Sequence, residues 1–282
     1  MYSTICFSYT GLVDAQTTRL SSNAGAGVAT ILLNESALLN PASIVFLKEN
    51  AFYFQQSTEK IEEKASSRTT KFQEIEENLY ILSDTTSGMN GAFAYQYRKE
   101  ENGSRVRYST SLSKPYSRST GLGVIVNYSN ENSTLINDSY FHFVLGLMTV
   151  TNEDLIFGLT IVDPSQEVAE YFKYTAGVQY TLNSLVNIVF DIGSGDVENY
   201  GDEAFIRWSV QLQAFMNTFL RYGTFHDQML NRKGTALGLS WNGPRFSFDY
   251  SHKLSSIIYD SDDNVLKDEE LLETSFGITV KF

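Results

Sequence analysis

Hydrophobic and polar residues alternate along most of the chain from about residue 50 onward. The segments 91–100, 122–128 and 141–147 each place aromatic or aliphatic residues at every second position, with small or polar residues between them. Because successive side chains of a strand point to opposite faces, this period of two predicts β-strands and not helices. About fourteen such segments can be recognised, and they predict an all-β protein.

The links between these segments alternate in length. Short links such as residues 87–90 and 151–154 take turns with longer polar links such as residues 62–78 and 257–273. Bacterial outer-membrane barrels sort their connections in this way, with tight turns facing the periplasm and longer loops facing outward. The sequence therefore predicts a transmembrane antiparallel up-and-down β-barrel over residues 50–282, in a Gram-negative outer membrane and with both termini periplasmic.

A soluble β-sandwich is the main alternative fold, since it also alternates hydrophobic and polar faces. Strands of soluble sheets usually have about 5–6 residues, whereas the segments here are about twice as long. Small residues fill their polar face, as a narrow lumen requires, and Tyr and Phe lie near their ends, as in the aromatic girdles of membrane barrels. We therefore prefer the barrel.

The chain ends with the alternating segment SFGITVKF, so that its last residue is Phe282. In a barrel whose termini are periplasmic, the last strand runs inward and Phe282 lies in the inner aromatic girdle. A terminal strand of this kind resembles the signal that the barrel-assembly machinery reads on its clients. An edge strand that ends in Phe by chance is the alternative.

Residues 1–49 do not alternate. They are rich in Gly and Ala and then contain a helix-like stretch, which Asn34 or Ser36 could cap and which Asn40-Pro41 should close, because proline disfavours the α conformation of the preceding residue. We expect this segment, here called the plug, to be partly helical and to lie in the lumen. The first 16 residues or so resemble a remnant of an export signal or the start of the mature chain.

The order of these parts resembles the FadL-type outer-membrane transport family, whose members have an N-terminal hatch followed by fourteen antiparallel strands. The hatch of that family carries an Asn-Pro-Ala motif between a stretch of small residues and the first strand. In this sequence Asn40-Pro41-Ala42 follows SSNAGAGVAT in the same position. The resemblance covers the architecture of the whole chain, and the motif over about residues 21–55.

The resemblance implies passive, energy-independent uptake of long-chain fatty acids or other hydrophobic compounds through a plugged barrel with a lateral opening. The sequence departs from the fatty-acid transporters in its outer loops, which are modest and acidic where theirs carry long apolar insertions. Smaller barrels similar to this one serve as partners or shuttles in protein secretion.

Composition argues against several other functions. The net charge of −12 disfavours a nucleic-acid partner, because phosphate binding needs a basic surface. The three histidines are not spaced for a catalytic triad, and the acidic run at residues 260–270 lacks the glycine and the ligand spacing of a calcium loop. We therefore expect no enzyme activity, no cofactor and no metal site.

Assigning side chains to faces by their parity predicts a basic lumen and acidic outer loops. The residues expected to face the lumen are Arg98, Arg105, Arg107, Lys173, Arg207, Arg221, Arg245 and Lys281, with Asp191 and Asp249. Such a lumen could guide an anion such as a carboxylate head group. Alternatively, its arginines pair with carboxylates such as Glu35, Asp191 and Asp249 and hold the plug in place. The acidic loops could bind divalent ions that bridge lipopolysaccharide, although a solvated surface is the simpler interpretation.

The resulting hypothesis is an outer-membrane, porin-like channel for passive uptake of small hydrophobic or amphipathic, fatty-acid-like compounds, opened by a local shift around Asn40-Pro41. The alternative is a non-transporting barrel that acts as an anchor, scaffold or shuttle for a protein partner. An apolar pocket beside the plug, or a gap in the wall near residues 217–225 or Gly193–Gly195, would favour transport. A filled lumen with exposed apolar loops would favour the alternative.

Overall fold

The computed structural model describes residues 15–64, 71–86, 90–101, 103–133, 137–166, 172–195, 203–257 and 268–282. Its strands are β1 (Ala51–Lys64), β2 (Lys71–Asp84), β3 (Asn90–Glu100), β4 (Gly103–Pro115), β5 (Thr120–Ser133), β6 (Asn137–Val150), β7 (Leu155–Val162), β8 (Lys173–Leu182), β9 (Val186–Ser194), β10 (Ala204–Phe215), β11 (Thr218–Asp227), β12 (Arg232–Asn242), β13 (Phe246–Ile257) and β14 (Asp268–Lys281). Each strand pairs with its sequence neighbours, and β14 pairs with β1 to close the barrel. The predicted antiparallel up-and-down barrel of about fourteen strands is confirmed.

The two faces of the wall differ as the alternation predicted. On β6, for example, Phe141, Phe143 and Leu145 are exposed on the outside, whereas His142 and Val144 between them are buried. Two stacked sheets would bury these aromatic and aliphatic rows against each other, whereas a closed barrel turns them outward. A broad apolar outer surface is costly in water and is suited to contact with lipid.

The strands extend further into the predicted loops than the alternation indicated. Residues 71–84 are all strand, so Glu74, Glu76 and Glu77 belong to β2, and β3 connects to β4 through residues 101–102 alone. Residues 65–70 of the link predicted at 62–78 and residues 258–267 of the link predicted at 257–273 lie outside the described residues, and the described parts of both links are strand. The reason is that charged residues can continue a strand above the lipid, where a barrel wall meets water on both faces.

The wall is low at β7, β8 and β9, where three short strands lie side by side; β11 has the same 10 residues as β8 but stands between longer strands. Strands β7, β8 and β9 have 8, 10 and 9 residues, whereas β6 has 14. Only the part of β6 from Val144 to Val150 pairs with β7, so residues 137–143 rise above it. The gap considered near β11 is not found, because β11 pairs with both neighbours along its whole length. Pairing also continues through Gly193 to Ser194.

The described part of the plug, residues 15–49, packs against the inner face of the wall. Its helix α1 (Thr18–Ser22) contacts β11 to β14, and its two 3-10 helices, Asn34–Ala37 and Pro41–Phe46, contact β2 to β4 and β3 to β6. No helix in the described ranges is long and apolar enough to cross a membrane.

The start and end of the plug's helical turns differ from the prediction. Neither Asn34 nor Ser36 caps a helix, since the first 3-10 helix follows Leu33, which makes no side-chain cap. Asn40 caps the second 3-10 helix and so begins it, whereas we expected Asn40-Pro41 to close a helix. Proline is well suited to the first turn of a helix, because its missing N–H has no partner there in any case.

Glycines let the plug backbone touch the wall backbone. A Cβ atom on Gly158 of β7 would lie 2.2 Å from the carbonyl oxygen of Val28, and one on Gly146 of β6 would lie 2.4 Å from Oδ1 of Asn40. Real Cβ atoms do not approach other atoms so closely. The plug is therefore seated against the wall with no room for a side chain between them.

The C-terminus closes the barrel beside the plug. The backbone N–H of Phe282 donates to the carbonyl oxygen of Asn50 at 3.0 Å, and Lys281 Nζ lies 3.2 Å from Oε2 of Glu49. The Phe282 side chain itself is exposed. These contacts place the end of the last strand beside the point at which the plug enters β1.

Candidate functional site in the lumen

The structure places most of the predicted lumen residues on the inside of the wall. The buried ones are Arg98, Arg105, Arg107, Arg221, Asp191 and Asp249, and the partly buried ones are Lys173, Arg207 and Lys281. Arg245 was predicted wrongly: it lies exposed in the turn between β12 and β13. Parity is lost there because the strand ends at Asn242 and the turn restarts the alternation.

The prediction of a predominantly basic lumen is also wrong. Acidic residues that the parity assignment left out of the lumen face inward from the ends of strands and pair with the arginines, and one of them, Glu77, had been assigned to an outer loop. Arg98 Nη2 lies 3.0 Å from Oε2 of Glu59, its Nε 2.9 Å from Oε1 of Glu100, and its Nη1 3.7 Å from Oε2 of Glu77. Because an enclosed interior solvates charges poorly, most cations there require such partners.

One ion-pair cluster joins the plug to the wall. Nε of Arg19 in the plug lies 3.5 Å from Oδ1 of Asp249 on β13, and Nη1 of Arg221 on β11 lies at the same distance from that atom. Ser240 on β12 accepts a hydrogen bond from Arg221 and donates one to Asp249. For Asp249, this arrangement favours the hypothesis that lumen charges hold the plug in place.

Glu35 is held within the plug itself. It accepts a hydrogen bond from Oγ1 of Thr17, while its Oε2 has no hydrogen-bond partner among the described residues. Burial raises the pKa of Glu35 above its ordinary value, and the nearby charge of Arg19 opposes that rise. The hydrogen bond from Thr17 thus ties Glu35 to the plug itself and not to the wall.

Asp191 meets the backbone of the plug. Its Oδ2 accepts hydrogen bonds from the N–H groups of Gly27, at 2.6 Å, and Val28, at 3.0 Å. Its register partner on β10, Arg207, directs Nη2 to Oδ2 of Asp227 at 2.8 Å. Asp191 thus belongs to the contacts that fix the plug.

The Asn-Pro-Ala motif links two parts of the plug to each other and to β4–β6. The Asn40 side chain donates to the carbonyl oxygens of Val28 and Leu147 and accepts from the N–H of Ala42. The carbonyl oxygen of Pro41 accepts a hydrogen bond from Ser113 of β4. The motif therefore has a structural role, since the Asn40 side chain and the Pro41 carbonyl group are both hydrogen-bonded.

A cavity of about 30 Å³ lies between the plug and the low part of the wall. Its lining combines apolar, basic and neutral polar side chains, so we call it the amphipathic cavity. Its apolar lining includes Val28, Leu38, Leu39, Val144 and Val162, and its basic lining consists of Arg107, Lys173 and Arg207 together with His142. Acidic residues are missing from the lining within the described part of the chain.

A second cavity, of about 70 Å³, lies toward the long-loop end and is lined by charges of both signs, including Glu59, Glu77, Glu273, Arg98, Arg232 and Lys253. We call it the charged cavity. Both cavities are too small for a fatty acid or an aromatic hydrocarbon, so neither can hold such a compound unless the groups around it move. Groups of side chains able to hold a metal ion are not found among the described residues.

The sequence interpretation overlooked the apolar part of this site. Ile125, Val144 and Val162 point inward and form one buried cluster on β5, β6 and β7. Apolar residues at lumen parity break the polar-inside pattern of these strands, and that break was the available signal. Leu38 and Leu39 of the plug could be placed here only by the tertiary structure.

Comparison with solved structures identifies the same fold in known channels. The chain is similar to the CymD monoaromatic hydrocarbon channel, with a TM-score of 0.72 and 11% identity over 93% of this chain and 96% of that one. For the Ralstonia pickettii toluene transporter TbuX the TM-score is 0.72, with 10% identity over 95% and 99%. For a Pseudomonas aeruginosa FadL homologue the TM-score is 0.64, with 8% identity over 96% and 99%.

These likenesses confirm the predicted resemblance to FadL-type barrels at the level of the fold, which is what identities of 8–11% establish. A scan against protein-family models found no matching family, and a search of curated proteins found no match.

Proposed function

We propose that the protein is a channel of the bacterial outer membrane that admits small hydrophobic or amphipathic, fatty-acid-like compounds by passive diffusion. The observation that carries this proposal is the amphipathic cavity beneath the low wall. The fold supports it, because similar barrels are described as a toluene transporter and a monoaromatic hydrocarbon channel. The apolar outer surface and closed barrel support placement in a membrane.

The cavity has the chemistry that a fatty-acid-like compound requires. Val144 and Val162 offer apolar surface to a hydrocarbon chain, while Arg107 and Lys173 offer cations to a carboxylate head group. Ion-assisted hydrogen bonds to a carboxylate are stronger than neutral ones, and they strengthen where water is excluded. As it stands, the cavity is far smaller than the roughly 300–1,000 Å³ of small-molecule sites, so a compound would occupy it only after the plug moves. Its combination of apolar surface with a few polar groups is the one that such sites share.

The low wall places this cavity at the edge of the barrel. Val162 is the last residue of β7 and Lys173 the first residue of β8, and both line the cavity. We propose that a compound reaches the cavity from this side. Residues 1–49 would then act as the hatch, of which residues 15–49 are described, and its displacement would open the route inward.

The remaining expectations are part of the same proposal. Both termini would be periplasmic, Phe282 would be recognised by the barrel-assembly machinery, and lipid and lipopolysaccharide would surround the barrel.

Substituting Phe282 by Ala should lower the fraction of folded barrel in the outer membrane, whereas substituting it by Tyr should preserve that fraction. Neither a cofactor, a nucleic-acid partner nor enzyme activity is part of this function.

Binding and uptake measurements on two classes of compound test the proposal. Purified protein in detergent should bind a long-chain fatty acid, and cells that produce the protein should take it up faster than cells that do not. Lys173→Gln should weaken fatty-acid uptake and spare uptake of neutral toluene, because only the former has a carboxylate. Arg232→Gln, in the charged cavity, is the matched control and should change neither.

Failure of both compounds to bind or enter would overturn the proposal. Uptake of toluene without uptake of the fatty acid would restrict the proposed substrates to neutral hydrocarbons. The alternative of a non-transporting anchor, scaffold or shuttle is not favoured, because the similar folds named above are described as channels and transporters.

A further inference from the structure

Asp191 holds the plug through backbone groups that form an anion-binding turn. The turn follows Ala24 and Gly25, whose φ angles are 56° and 83°, and its N–H groups at Gly27 and Val28 converge on Oδ2 of Asp191. Successive N–H groups that converge in this way create a concavity for an anion. The wall supplies the anion in the form of a side chain that is 1% exposed.

The neighbouring strands are shaped around this contact. Gly177 of β8 lies directly opposite Asp191, and a Cβ atom there would come within 2.3 Å of Asp191 Oδ1. Any larger residue would push the carboxylate out of its place. On the other side, Arg207 pairs with Asp227, so the hydrogen bonds of the Asp191 carboxylate within the described part of the chain are those with the plug.

The contact lies beside the amphipathic cavity. Val28, whose N–H bonds to Asp191, also lines that cavity, together with Lys173 and Thr175 of β8. Movement of this turn away from β8 and β9 would enlarge the cavity along the low side of the barrel.

We propose that Asp191 is the latch of the plug. While its carboxylate accepts the two N–H groups, the turn at residues 24–28 stays seated; when the contact breaks, the turn leaves the wall and the amphipathic cavity extends inward. Asp191 is a positioning residue in this proposal, since it acts through the plug. The proposal rests on the proposed function for what passes, and its experiment requires no transported compound.

Ion conductance and thiol labelling test the latch directly. Full-length Asp191→Asn and Asp191→Ala are compared with the wild type in planar lipid bilayers with potassium chloride, after gel mobility has shown that the barrel is folded. Ala26→Cys in a Cys6→Ser background reports exposure of the turn to a water-soluble maleimide. Loss of bonds to a charged acceptor should raise opening frequency and labelling rate by on the order of tenfold.

Glu77→Gln is the matched control. Glu77 is also a buried carboxylate of the lumen wall, but its partners Gln96 and Arg98 are wall residues. Its loss should leave opening and labelling near the wild-type values. An equal rise in this variant would overturn the latch, because loss of any lumen charge would then suffice.

A covalent replacement should restore closure. In the Asp191→Ala background, Val28→Cys and Gly177→Cys can form a disulfide after a small shift of the turn, because the Gly177 Cβ position lies 3.2 Å from Cβ of Val28 and a disulfide needs about 3.5–4.5 Å. Oxidation should return conductance to the wild-type level, and reduction should raise it again. Unchanged conductance in folded Asp191→Ala, or failure of both Asp191 variants to assemble, would overturn the proposal.

Discussion

The side-chain amide of Asn40 donates a hydrogen bond to the carbonyl oxygen of Val28 at a distance of 2.7 Å. The same nitrogen lies 3.2 Å from the carbonyl oxygen of Leu147 on β6. A single buried side chain thus ties the Asn-Pro-Ala turn to the turn that Asp191 holds, and both to the wall. A displacement of Asn40 should therefore also displace Val28.

Removing this side chain should loosen the plug. Asn40→Ala leaves two buried carbonyl oxygens without their donor, and we expect it to lower the free energy of unfolding by about 1–3 kcal/mol. Urea unfolding in detergent, followed by gel mobility, measures the loss. Asn130→Ala is the control, because Asn130 donates to Ser139 on the exposed surface and should have little effect. Equal losses in the two variants would contradict a special role for Asn40.

The barrel itself was predictable from the sequence because its signal is local. A period of two, repeated in segments such as that around Phe141 and Phe143, marks each strand by itself, and consecutive strands of such a barrel are neighbours. The inward position of Arg98 and Asp249 followed from the same parity. None of these conclusions required knowledge of residues distant in the sequence.

The charge balance and the plug contacts could not be predicted in this way. Arg98 and Glu59 are 39 positions apart, and Gly27 and Asp191 are 164 apart, so their meeting depends on register and on the path of the plug. The alternation of residues also does not distinguish a strand that extends beyond the lipid from a solvated loop. Glu77 was therefore assigned to an outer loop, although it lies on β2 and faces the lumen.

A methyl group at Gly158 should displace the plug. The atoms nearest to its Cβ position are the carbonyl oxygen and carbon of Val28 and the Cα of Ala29, and backbone atoms cannot rotate away. We expect Gly158→Ala to destabilise the folded protein by about 1–3 kcal/mol through overpacking, and to speed labelling of Ala26→Cys. The measurements are urea unfolding and the maleimide reaction.

Gly195→Ala provides the comparison. The atoms nearest to its Cβ position are the side-chain ends of Glu203 and Met229, and none of them belongs to the plug. These flexible side chains can move, so the variant should unfold and label like the wild type. If Gly158→Ala behaved in the same way, close seating of the plug against β7 would be refuted.

Loss of Asp249 should be more damaging than loss of a surface acid. Asp249→Asn leaves Arg19 and Arg221 without their shared carboxylate in a buried site, which costs about 3–5 kcal/mol in comparable cases. Glu74→Gln breaks a pair with Lys60 whose side chains are 57% and 55% exposed, and should cost less than about 1 kcal/mol. Urea unfolding of the two variants makes the comparison.

Adding Arg221→Gln to Asp249→Asn should recover part of the lost stability, because the second change removes one of the two stranded cations. A double variant less stable than Asp249→Asn alone would show that Arg221 stabilises the barrel by packing and not through its charge.

The protonation of Glu35 should make the stability of the protein depend on pH. Burial raises the pKa of Glu35 above its ordinary 4.5, so the folded state binds its proton more tightly than the unfolded state. Stability from this group is therefore greatest in acid and falls as the pH rises from about 4.5 through the raised value. The unfolding temperature in detergent should decrease over this interval in the wild type.

Glu35→Gln should flatten that decrease, because its side chain cannot ionise while its oxygen can still accept the Thr17 hydrogen bond. Glu153→Gln, at an exposed position in the turn between β6 and β7, removes one negative charge without changing the plug and should keep the wild-type slope. A wild-type slope in Glu35→Gln would assign the pH dependence to other groups. A slope of opposite sign in the wild type would mean that the attraction of Arg19 outweighs the burial of the carboxyl group.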